Sequence, residues 1–197
     1  MKEILLGSHS PRRKEILGYF SLPFKSIASG FDEESIPYAG DAVKLAEALA
    51  LGKAKALANE HKNETIITAD TVVAIDGITL GKPSNENESR KMLECLCGRW
   101  HSVITAVVAY KNADFFLEVE ETKVLCNSLT PDELHRYMRA HGLFDKAGSY
   151  AIQRSGSILV RRIEGCYYNV MGLPINGLRR ALKQVGIDLW DYLKELD

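Results

Sequence analysis

The chain has 197 residues, 46% hydrophobic and 26% charged, which suits one soluble globular domain over residues 1–197 that needs neither disulfides nor metal to hold its core. A formal net charge of −1 argues against broad binding to nucleic acid or an anionic membrane, but leaves room for a small anionic ligand met by a local cluster of cations. No apolar run approaches the roughly 18 residues of a membrane span, and the opening MKEILLGSHS is too short in apolar residues for a secretory leader, so a cytoplasmic setting is expected.

Ile4 to Gly7 reads as the end of a short strand. Ser10-Pro11 then supplies an N-cap and a first-turn proline for a helix to about Tyr19. Phe24 to Ile27 is a short strand, and Phe31 to Gly40 an acidic, turn-rich loop. Asp41 to about Asn59 is alanine-rich and periodic, hence a long helix. Thr65 to Ile75 is a β-branched, nearly apolar run that fits a buried strand, and Asp76-Gly77 is a hairpin turn. A helix is expected from Glu86 to Leu96, then strands at Ser102 to Tyr110 and Phe115 to Leu125 joined by Asn112-Ala113-Asp114. Thr130-Pro131-Asp132-Glu133 is a capping box opening a helix to about Ala140. Ser149 to Ile152 and Ser157 to Ile163 read as strands, Pro174 to about Val185 as a helix, and Leu189 to Leu196 as a last one. Interleaved helices and strands with a hairpin indicate an α/β fold on a mixed sheet.

Four cysteines, Cys95, Cys97, Cys126 and Cys166, lack zinc-ribbon spacing and are expected as reduced thiols. His135 and His141 are six positions apart and do not share a helix face at metal-ligand spacing.

Certain charges sit where the local pattern disfavours them. Arg12 and Arg13 occupy the first turn of a helix, a place that favours acids, and an external anion would reverse that cost. A solvated pair, or one bridged to Glu15 or the acidic loop, is the alternative. Lys53 falls inside the apolar stripe of Val43, Ala46, Ala50, Ala54 and Leu57, so it must snorkel out or meet an anion. Asp70 lies within an apolar strand, where a carboxylate is expensive unless paired, hydrogen-bonded or metal-bound. Leu80-Gly81-Lys82-Pro83 is a turn that presents Lys82, either toward Asp70 or to solvent. Gln153, closing Asp145 to Gln153, offers donors and an acceptor to a nucleobase edge, or is an ordinary polar strand end. Gly165 to Pro174 reads as an irregular packed loop before a helix.

In order along the chain stand S-x-S-P-R-R at Ser8 to Arg13, A-D-T-V-V at Ala69 to Val73, G-K-P at Gly81 to Pro83, D-K-A-G-x-Y at Asp145 to Tyr150 with Ile152-Gln153, and N-V-x-G-L-P at Asn169 to Pro174. This ordered set resembles the Maf family of nucleoside triphosphate pyrophosphatases over nearly the whole chain. His9, where smaller residues are common, is a minor departure. The resemblance implies a Maf/ITPase-like architecture, an elongated mixed β-sheet flanked by helices with two lobes around a nucleotide cleft. It implies hydrolysis of a nucleoside triphosphate between the α and β phosphates with a divalent cation, Mg²⁺ or Mn²⁺. Asp70 is then the proton acceptor, and Glu33 with Asp70 the metal carboxylates, Glu34 being the alternative to Glu33. Ser8, Arg12, Arg13, Lys53, Thr71, Lys82 and Gln153 are the implied substrate-binding residues, and Arg12, Thr71 and Gln153 match the branch acting on dTTP and UTP. No nucleic acid or membrane partner is expected; a homodimer is one expected assembly. Competing readings are a nucleotide-binding regulator of cell division with little catalysis, a nucleic-acid-binding module, and a stepwise phosphatase using the same residues.

Overall fold

A computed structural model describes residues 3–141 and 146–195. Asp145, the first residue of one sequence motif, and Leu196, the expected end of the last helix, lie outside the described residues.

Among the described residues, seven strands form one mixed sheet. They are β1 (Ile4–Gly7), β2 (Phe24–Ile27), β3 (Ile66–Ile75), β4 (Ile78–Leu80), β5 (Trp100–Lys111), β6 (Asp114–Cys126) and β7 (Val160–Glu164). The order is β2-β1-β3-β5-β6-β7, with β4 also on β3. β1 runs parallel to both β2 and β3, and the remaining pairs are antiparallel. The helices are α1 (Pro11–Leu17), α2 (Ala42–Glu60), α3 (Glu86–Leu96), α4 (Pro131–Ala140), α5 (Tyr167–Met171) and α6 (Ile175–Gln184).

Local chemistry explains most boundaries. Ser10 caps α1 and Asp41 caps α2 through side-chain oxygens that accept from backbone N–H groups. The capping box of Thr130 and Glu133 opens α4. Asp76 and Gly77 turn β3 into β4, and Asn112 and Ala113, both with positive φ, turn β5 into β6.

Side-chain alternation along the long strands divides the core. On one face Ala46, Ala50 and Ala54 of α2 lie against Val72, Ile104, Ala106 and Val108. Alanines at that interface bring the helix close to the sheet. On the other face stand two clusters. One gathers Val107 and Ala109 with α1 and α6, and the other gathers Val73, Ile75 and Val103 with α3 and α4. A polar seam separates them: Thr71 Oγ1 bonds Thr105 Oγ1 at 3.0 Å, and Thr105 donates to the Asn169 carbonyl at 3.0 Å.

The partners of β3 are what position the site. β5 pairs with it from Ile66 to Ala74, but on its other edge β1 reaches only Ile66 and Ile67, and β4 only Val73 to Ile75. Among the described residues, positions 68–72 therefore have a strand on one side alone.

Some sequence expectations fail. Residues 149–152 are not a strand: Gly148 (φ 69°) and Ser149 (φ 62°) are consecutive left-handed residues within a 3₁₀ turn at Ala147–Ser149, which no extended chain can hold. A second 3₁₀ segment, Arg154–Leu159, delays β7 to Val160. The stretch expected as an irregular loop contains α5, stopped by the left-handed Gly172. α1 ends at Leu17 rather than Tyr19, and the last helix is a 3₁₀ turn at Leu189–Tyr192.

Gly52, next to Lys53 on α2, leaves room for the Phe31 ring, which any β-carbon there would run into. Gly52→Val is expected to lower stability by about 1–3 kcal/mol through overpacking, more than the roughly 0.5 kcal/mol that leaving glycine gains in helix propensity. An unchanged urea midpoint would mean that Phe31 swings aside freely.

Candidate active site

The gap on the open edge of β3 is the floor of a cavity of about 890 Å³, within the range of small-molecule sites. Ser8, Arg12, Arg13, Glu33, Lys53, Asp70, Thr71, Lys82 and Gln153 all line it. They come from the residue after β1, α1, the 33–35 turn, α2, β3, the turn after β4 and the segment before the second 3₁₀ turn.

Neighbouring residues of a strand point to opposite faces, so Asp70 and Thr71 address the cavity from opposite sides of the sheet. On the α2 side, Lys53 (6% exposed) and Asp70 (8% exposed) form an ion pair, and Lys53 Nζ also meets Glu33 Oε1 at 2.8 Å. Burial pushes the Glu33 carboxyl up, but the hydrogen bond and charge of Lys53, aided by Lys82 and Arg13, outweigh it and hold the group below its ordinary value. Lys53 thus meets an anion rather than snorkelling. Glu33 and Glu34 both line the cavity, and Glu33 is the one that reaches Lys53.

On the opposite face, the Arg13 guanidinium donates from Nε to the Gly172 carbonyl at 2.7 Å and from Nη2 to Thr71 Oγ1 at 3.0 Å. Ser8 Oγ accepts from Arg13 Nη1 at 3.5 Å and from the Ser10 amide at 3.1 Å. Burial works against the charge of Arg13, and Asp70 works for it. Thr71 accepts from Arg13 and bonds Thr105, leaving it one acceptor position. Gln153 brings an amide oxygen that is buried with no hydrogen-bond partner.

The two carboxylates converging on one ammonium fit a hard divalent cation, which takes oxygen ligands and is commonly held by one or two carboxylates with substrate phosphates completing its shell. Among the described residues no group of three or more His, Cys, Asp and Glu gathers as a metal cluster.

The sequence did not single out His101, and Tyr150 entered only as the last residue of the D-K-A-G-x-Y motif. Tyr150 lines the cavity, and its hydroxyl is held by His101 Nε2 at 2.8 Å behind the wall. A histidine inside an apolar strand was the available signal.

The sequence profile of the Maf-like proteins matches residues 3–185. The chain belongs to the Maf family. Among its relatives, a protein from Chlamydia felis named "dTTP/UTP pyrophosphatase" is 43% identical over 97% of this chain and 98% of its own length. A protein of the same name from Caldicellulosiruptor bescii is 41% identical over 96% and 98%. Chlamydia muridarum has one named "Nucleoside triphosphate pyrophosphatase", 40% identical over 97% and 98%. The site residues expected from the sequence, Ser8, Arg12, Arg13, Glu33, Lys53, Asp70, Thr71, Lys82 and Gln153, thus lie around one cavity.

Burial of His101 (4% exposed) pushes its imidazole from 6.5 down to about 4, the Arg99 backbone offsetting part of the effect. The unfolded chain therefore binds this proton first as pH falls. Its contribution is complete above about pH 6.5 and is lost toward pH 4, in total about 3 kcal/mol. Urea titrations at pH 7 and pH 4.5 are expected to show a smaller acid loss in His101→Phe than in the unaltered chain. Equal losses would place the proton elsewhere.

Proposed function

We propose that this chain hydrolyses dTTP and UTP, and modified pyrimidine triphosphates of the same shape, to the monophosphate and pyrophosphate, as nucleotide-pool house-cleaning. The observation that carries the reading is one cavity that joins Asp70, paired with Lys53, to a buried amide oxygen on Gln153. The names of the Maf-family relatives give the same substrate class.

A triphosphate brings about four negative charges. Arg12, Arg13, Lys53 and Lys82 supply the opposing charge in a protein that is otherwise near neutral. Fixed cations of this kind stabilise charge that develops on the phosphoryl oxygens and the leaving pyrophosphate. Asp70 accepts the proton of a water attacking the α phosphorus, and Lys53 orients the carboxylate through its ion pair. Glu33 and Asp70 would hold a Mg²⁺ or Mn²⁺ ion, which when bound neutralises phosphate charge and acidifies water. On the same cavity, the Gln153 oxygen accepts the N3–H of uracil or thymine, and Thr71 is a second contact for the base.

The reading needs no nucleic acid or membrane partner, and a homodimer is compatible with it. It is set in the cytoplasm: the four cysteines are free thiols, and among the described residues no helix is long and apolar enough to cross a membrane.

The test is incubation with Mg²⁺ and dTTP, UTP, dCTP, GTP or 7-methyl-GTP, with products resolved by anion exchange. Monophosphate and pyrophosphate from dTTP and UTP are expected. Diphosphate and orthophosphate would make the chain a stepwise phosphatase, and binding without turnover a regulator. Asp70→Asn is expected to slow turnover by about 10²–10⁴-fold; near-normal turnover would remove Asp70 as the base. Gln153→Ala is expected to lower the ratio of UTP to GTP turnover, and an unchanged ratio would take base recognition away from Gln153.

A further inference from the structure

Tyr150, Ala151, Ile152 and Gln153 form one wall of the cavity, yet belong to no helix or strand. Left-handed residues flank them, Ser149 (φ 62°) and Arg154 (φ 54°). A backbone of this kind has no ladder of its own to fix it, so its shape is set by what pins it from behind.

Three groups do so. The Tyr137 hydroxyl, on α4, accepts from the Ala151 amide at 3.3 Å and donates to the Gly156 carbonyl at 3.2 Å. One buried oxygen therefore ties residue 151 to residue 156, with Gln153 between them. His101, on β5, holds the Tyr150 hydroxyl at 2.8 Å and meets the Tyr150 ring edge to face at a centroid distance of 5.3 Å. Ser89, on α3, is hydrogen-bonded to the fully buried Ser149. The fit under the loop is close: a β-carbon at Gly156 would lie 2.8 Å from the Ala151 carbonyl oxygen. Neither Tyr137 nor His101 lines the cavity.

We propose that Tyr137 and His101 are positioning residues for base selection: they hold the 150–153 segment from outside the cavity and so place the Gln153 oxygen. The proposal rests on the reading that this cavity takes a pyrimidine triphosphate with Gln153 at the base. A hydrogen bond weakens steeply with distance and angle, so a recognition group must be held to within about 0.5 Å. Removing the Tyr137 hydroxyl leaves the Ala151 amide without its acceptor and the Gly156 carbonyl without its donor, and the loop must move to satisfy them. Arg13 and Lys53 stand on α1 and α2 and are held by Gly172, Thr71, Glu33 and Asp70, none of which belongs to this loop. The two variants therefore affect base contact and leave phosphate contact alone.

The experiment measures kcat and KM for UTP and GTP with the full chain, Tyr137→Phe and His101→Phe. Each variant keeps a ring of similar size, and the second keeps the proposal testable should the first not fold. The expected result is a KM for UTP raised about five- to tenfold, kcat within about twofold, and kcat/KM for GTP unchanged, so that base preference falls by the same five- to tenfold. An equal loss on both nucleotides would reveal a merely structural role and overturn the proposal, as would an unchanged ratio. A full chain with no preference for UTP would overturn the underlying reading with it. A full chain that prefers UTP, with variants that share the preference, would overturn the proposal alone.

Discussion

An ammonium buried between two carboxylates organises this molecule. Lys53 and Asp70 form an ion pair at a place where fewer than one part in ten of each residue meets solvent. Either alone would be unstable there, because desolvation of an unpaired charge costs several kcal/mol. The pair forms only if α2 lies against the sheet at the level of Asp70, which its alanine stripe allows. Glu33 joins the pair only if the 33–35 turn is docked, and Phe31 docks it beside the bare backbone of Gly52. Helix, strand and loop are thereby locked to one another by the groups that the chemistry needs.

The second organising feature is an interruption in strand pairing. β3 is paired along its length by β5, but on its other edge β1 and β4 leave a gap, and the cavity opens there. The strand consequently offers consecutive residues to two faces: Asp70 toward the carboxylate and lysine cluster, Thr71 toward Arg13 and the polar seam. Each of the two faces is supported by its own packing.

Much of this was legible in the sequence, for a definable reason. Lys53 and Asp70 are charges inside apolar patterns, and such a mismatch needs a partner wherever the chain goes. Arg12 and Arg13 similarly stand in a helix turn that favours acids. Glu33 could not be separated from Glu34, because a loop has no period from which to assign a face. The 147–159 region departs from the sequence reading because nothing in the letters signals that Ser149 and Arg154 take the left-handed conformation, in a segment held by distant Ser89 and Tyr137. α5 was missed because five residues are too few for helical periodicity to show. Tyr137 acts across 14 and 19 positions of sequence, a relation no local pattern records.

The long reach of the Arg13 bond has a consequence for how the protein comes into being. Arg13 donates to Gly172, 159 positions later, and Gln153 also lines the cavity. Synthesis runs from the amino terminus, so the lysine, the carboxylates and the arginine pair leave the ribosome well before the segments that enclose them. A growing chain holds the charged groups without the compartment that concentrates their fields. The enclosed cavity is thus withheld until the chain has grown past Gly172, and fragments released before Gln153 carry the reactive residues but no chamber in which to use them.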